Sequence, residues 1–112
     1  MKVNHRLIYC LIQLIGRLGE NPESTWSDTG LRVTASLAVT IDKDTADWYN
    51  LTAFGKTAEI LANYVRKGEQ VNIQGRVSVN RWVDKVTDEP RSRVQIIVDR
   101  VGLIGSNSRN AL

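Results

Sequence analysis

Residues Trp48 to Gly75, WYNLTAFGKTAEILANYVRKGEQVNIQG, constrain the fold more than any other stretch, because they switch period twice. From Trp48 to Phe54 side chains alternate with period two: Leu51 and Ala53 suit a core face, while Trp48, Asn50, Thr52 and Phe54 share the other. From Thr57 to Lys67, Ala58, Leu61, Ala62 and Val65 recur at i, i+3, i+4 and i+7, which predicts an amphipathic helix with Gly68 as its C-terminal cap. Alternation then resumes, with Val71, Ile73, Val77 and Val79 inward and Asn72, Gln74, Arg76, Ser78, Asn80 and Trp82 outward, unless a bulge at Gly75 shifts the phase. The pattern is strand, helix, strand, and it places large aromatic rings on strand faces that are otherwise polar.

The rest of the chain supplies more strands. Leu7–Leu18 is apolar at nearly every position, so it must be covered on both faces, one by the core and one by a partner chain. Glu20–Gly30 reads as a turn-rich connection containing Trp26. Leu31–Ile41 alternates, with Leu31, Val33, Ala35, Leu37, Val39 and Ile41 inward and Arg32, Thr34, Ser36 and Thr40 outward. A polar link, Asp42–Ala46, precedes the Trp48 strand. Val83–Arg91 reads as a hairpin loop and Ser92–Leu103 as the last strand. The expectation is an all-β chain with one helix: an OB-fold, a five-stranded Greek-key barrel with the helix between strands three and four. Residues 1–106 form this one domain and 107–112 a short flexible tail.

Several chemistries are excluded by what is missing. Gly55-Lys56-Thr57 opens a helix as a P-loop does, but the P-loop needs a glycine at position 50, which is Asn. Asp42, Asp44 and Asp47 lack the glycine and distal glutamate of a calcium loop. One His and one Cys make neither a zinc site nor a partnered nucleophile. Cys10, lying in an apolar run, reads as a buried small hydrophobe. No cofactor, no metal and no catalytic group is expected. The run Leu7–Ile15 is too short to span a membrane, and no small-residue cleavage site follows it.

The chemistry that is present is aromatic and basic. Trp48, Phe54 and Trp82 lie on polar strand faces, and Lys56, Lys67, Arg76, Arg81, Lys85, Arg91 and Arg93 lie among them in a chain of net charge +3. Unpaired bases stack on such rings while cations track the phosphates, with little dependence on sequence. Exposed aromatics also mark protein interfaces, so the pattern alone leaves both readings open.

The phrases LIGRLGENPE (residues 14–23), WYNLTAFGKTAEILANYVRKGEQVNIQGRVSVNRW (48–82), SLAVT (36–40) and VDRVGLIG (98–105) resemble the bacterial-type single-stranded DNA-binding protein family, nearly throughout Ile12–Ser106. The resemblance implies an OB fold and a homotetramer, a dimer of dimers with the first strand in the interface. It implies sequence-independent binding of single-stranded DNA in replication, recombination and repair, in the cytoplasm at the nucleoid, with an organelle-like form as the alternative. It matches Trp48, Phe54 and Trp82 to stacking aromatics, Trp26 to a loop aromatic, and Lys56, Lys67 and Arg81 to the phosphate contacts; Arg76, outward on the same strand as Trp82, is a further candidate contact. The second reading is an OB-fold protein-interaction or primosome accessory subunit that binds nucleic acid weakly. Some features depart from the family pattern: Tyr49 where His is common, no Trp in the 42–46 link, extra N-terminal residues, and no acidic tail to recruit replication and repair enzymes. The last is expected of a truncated chain, a paralogue or an organelle form.

Overall fold

The computed structural model describes residues 10–104. Expectations for residues 7–9, the Cys10 side chain and the 105–112 tail lie outside the described residues. The elements run β1 (Cys10–Leu18), β2 (Glu23–Ser27), β3 (Gly30–Asp42), β4 (Thr45–Phe54), α1 (Gly55–Tyr64), β5 (Gln70–Val83) and β6 (Pro90–Leu103).

The pairings make a ring. β1 pairs β5, β5 pairs β6 and β3 pairs β4, all antiparallel; β4 pairs β6 in parallel, through Leu51↔Ile96 and Thr52↔Ile97. β3 returns to β1 through Arg17↔Ala38 and Leu18↔Leu37, which closes the five strands into an OB-type Greek-key barrel. The interior is filled by residues alternating along the strands: Leu14 and Leu18, Leu31, Val33 and Leu37, Leu51 and Ala53, Val71 and Ile73, Ile96 and Val98. α1 packs on β3, β4 and β6 and adds Ala58 and Leu61, with Val65 just beyond its end.

Two glycines permit the closure. A Cβ on Gly16 would lie 2.3 Å from the Ala38 carbonyl oxygen, and one on Gly75 would lie 2.2 Å from that of Ile97. At Gly75 the anticipated bulge is present, but its extra residue is on the other strand. Gln74 faces Arg100 and Gly75 faces Val98, so Asp99 is the unpaired residue. The phase of β5 is therefore kept, and Val71, Ile73, Gly75 and Val77 stay inward.

Other expectations are corrected. Glu23–Ser27 is a strand, not a turn; it pairs only with β3, as an exposed arm outside the ring. The helix spans Gly55–Tyr64 rather than Thr57–Lys67, and Gly68 is not its cap. Val65 turns extended so that its side chain enters the core, and the next backbone groups bond elsewhere: the Arg66 and Lys67 N–H groups donate to Glu69 Oε1 and Asn21 Oδ1, each at 2.8 Å. Gly68, at φ +85°, instead forms the turn that ties β5 to β1, donating its N–H to the Leu18 carbonyl at 2.7 Å. Ile41 is exposed because the β3–β4 register shifts between Thr40 and Asp42, and Val79 is exposed because β5 there has left the barrel for the hairpin arm.

Candidate nucleic-acid interface

Directly opposed residues in an antiparallel pair project to the same side of the sheet. The β3–β4 register sets Arg32 against Phe54, Thr34 against Thr52, Ser36 against Asn50 and Ala38 against Trp48. One outer face therefore has Trp48 near one end, Phe54 near the other and small polar side chains between them. Six residues of extended strand separate the rings by about 20 Å. Trp48 is 61% exposed and Phe54 52%. Neither ring is a core residue.

The face continues on to the β5–β6 hairpin. Thr52 Oγ1 donates to Gln95 Oε1 at 2.9 Å, joining β4 to β6; this bond explains why Thr52 is buried although its neighbours on the same side are open. Between the two surfaces is an open cleft of about 580 Å³, with Thr34, Ser36 and Asn50 on one side, Asn80, Arg93 and Gln95 on the other, and Arg32 at its edge. Glu20, Asn21 and Glu23 form the remaining rim. Trp82 follows Asn80 by two residues, so it stands on the same side of the arm, 44% exposed, opposite Arg91.

The basic residues divide by face and by pairing. Arg93, opposite Asn80, and Arg32, opposite Phe54, have no ion pair among the described residues and border the cleft. Arg32 was not among the expected contacts; the signal for it is the β3–β4 register, which sets a cation beside an exposed ring. Lys56 is exposed in the first turn of α1, two residues from Phe54. Lys67 is held by Glu20 at 3.5 Å, and Arg76 by Asp99, with Nε–Oδ2 at 3.4 Å. Both pairs are surface pairs, weak enough to yield to phosphate. Arg81 has the opposite parity to Trp82 and projects from the back of the arm, opposite Ser92. Trp26 also lies off the face. It opposes Leu31, a core residue, and so occupies the other side of the β2–β3 arm, 73% exposed.

The arm's tip is held by one carboxylate. Asp84 Oδ1 accepts the Val86 and Thr87 N–H groups at 2.8 and 3.1 Å, and Oδ2 lies 3.4 Å from Arg91 Nε. The two backbone donors, then Arg91, hold the Asp84 carboxyl below its ordinary value of 3.8.

A closed OB-type barrel with exposed rings along a polar groove belongs to the class of β-barrel ligand-binding modules. Comparison with known proteins narrows the class. The single-strand binding protein family model matches residues 11–104, and the chain belongs to that family. Single-stranded DNA-binding protein 1 of Synechocystis sp. is 37% identical over 89% of this chain and 87% of its own length. A single-stranded DNA-binding protein of Thermosynechococcus vestitus is 36% identical over 86% of this chain and 82% of its own.

Proposed function

We propose that the chain binds single-stranded DNA, tolerant of sequence, in replication, recombination and repair. The observation that carries this is the pair of exposed indoles, Trp48 and Trp82, on the sides of β4 and the β5–β6 arm that border one polar cleft. Trp48, Phe54 and Trp82 stack bases; Arg93, Arg32 and Lys56 meet phosphates; Lys67 and Arg76 join once their carboxylate partners are displaced. Polar side chains between the rings accept any base edge, and no enclosed pocket there selects one base. Duplex DNA, whose base faces are covered, binds far more weakly.

The protein acts as a homotetramer. β1 pairs β5 from Cys10 to Arg17, but its other edge meets β3 only at Arg17 and Leu18, which leaves the edge from Cys10 to Gly16 unpaired among the described residues. On the outer face of that stretch Leu11 and Ile15 are exposed. An open strand edge flanked by apolar side chains is a template for a second copy. The working place is the cytoplasmic nucleoid. Among the described residues no helix is long and apolar enough to cross a membrane.

The test is titration of the intrinsic tryptophan fluorescence with oligo-dT. Quenching at low salt that weakens as salt rises is expected, because phosphate contacts release counterions. Unchanged fluorescence at low salt would reject the proposal.

A further inference from the structure

Gly19, between β1 and β2, touches β3 through its backbone, and a Cβ there would meet no barrel-wall atom, yet it has no room. It would lie 2.4 Å from Cζ3 and 2.7 Å from Cη2 of Trp48, so the six-membered half of the indole rests against the Gly19 backbone. The Gly19 backbone is itself fixed, with its N–H donating to the Ser36 carbonyl at 2.9 Å. Unlike Gly30, Gly55 and Gly68, Gly19 is not at positive φ, so an L side chain meets no backbone strain there. The indole alone stands in the way of a side chain at this position.

We infer that Gly19 is a positioning residue for base stacking: its bare backbone is the seat that fixes where the Trp48 indole stands on the binding face. This rests on the proposed role of Trp48. The contrast with Gly16 and Gly75 gives the inference its content. At those two glycines the obstacle is a carbonyl oxygen in the barrel wall, which does not yield. At Gly19 the obstacle is the outer end of an exposed side chain, which does. A methyl group at Gly19 therefore leaves the barrel intact and displaces the ring. A ring held on a fixed seat loses little freedom when a base stacks on it; an unseated ring must be ordered during binding.

The experiment is a double-mutant cycle between Gly19→Ala and Trp48→Ala, read as oligo-dT affinity by anisotropy of labelled DNA, with thermal melts alongside. Gly19→Ala is expected to melt near the parent and to bind roughly 3- to 10-fold more weakly, less than the loss in Trp48→Ala, because a displaced ring retains part of its stacking. In the Trp48→Ala background, Gly19→Ala is expected to cost nothing further. In a Trp26→Phe, Trp82→Phe protein, where Trp48 is the sole indole, Gly19→Ala is expected to raise quenching by acrylamide without DNA present. Parent-like affinity, an equal loss in both backgrounds, or failure to fold would each overturn the inference, the last by showing that the ring does not yield. If Trp48→Ala itself binds as the parent does, the fault lies with the proposed role of Trp48 and not with its seat.

Discussion

At the scale of single residues, the proposed binding face is decided by parity. Trp82 and Arg81 are neighbours in sequence and project from opposite sides of the β5–β6 arm. Trp82→Ala is expected to weaken oligo-dT binding by about 1–3 kcal/mol, the value of one stacked base, while Trp26→Ala on the far side of its own arm should leave affinity near the parent's. In the same titration at low salt, Arg93→Ala should lower affinity more than Arg81→Ala does. The rings were legible in the sequence because alternation alone puts Trp48, Phe54 and Trp82 on polar faces. The cations were not, because their usefulness depends on cross-strand partners: Arg76 meets Asp99, and Arg32 faces Phe54, only in the folded registers. Gly16 and Gly75 carry a separate prediction. A methyl at either meets a main-chain oxygen, so Gly16→Ala and Gly75→Ala should each destabilise by about 1–3 kcal/mol, read as a lowered melting temperature.

At the scale of elements, long amphipathic segments were readable and their ends were not. The buried stripe Ala58, Leu61 and Val65 is the one the helical spacing predicts, yet Val65 reaches the core from extended backbone, because the chain must turn there to start β5. β2 was not legible because ESTWS has no apolar alternation; an arm paired on one edge and open on both faces needs none. The β5–β6 tip illustrates an element held by local polar contacts instead of packing. The lowered Asp84 pKa fixes the sign of its pH dependence. A carboxyl depressed in the folded state stabilises fully above its ordinary value of 3.8, and that contribution is lost as pH falls through the lowered one. The Val86 and Thr87 amide resonances should therefore hold steady above that value and shift together in strong acid. Asp84→Asn should remove that coupled acid transition, while the barrel, which does not depend on the tip, keeps its melting temperature near the parent's.

At the scale of the whole molecule, the proposed binding surface and the proposed self-association surface lie on different strands. Rings and cleft belong to β3, β4 and the β5–β6 arm; the open edge and the exposed Leu11 and Ile15 belong to β1. The two properties should therefore separate by mutation. Ile15→Asp puts a charge on the outer face beside the open edge without touching the core, since Leu14 and Leu18 face inward. In an assembled state that charge would be buried without a partner, at a cost of several kcal/mol, enough to break a modest interface. The parent is expected to scatter light as a tetramer at micromolar concentration, and Ile15→Asp as a smaller species with an unchanged far-ultraviolet spectrum. Short oligo-dT, which occupies one barrel, should bind both proteins alike. Long oligo-dT should discriminate, because barrels joined in one assembly engage a strand at high effective concentration and separated barrels do not. Equal affinity of the two proteins for the long strand would mean that each barrel works alone, and β1 would then have no part in binding.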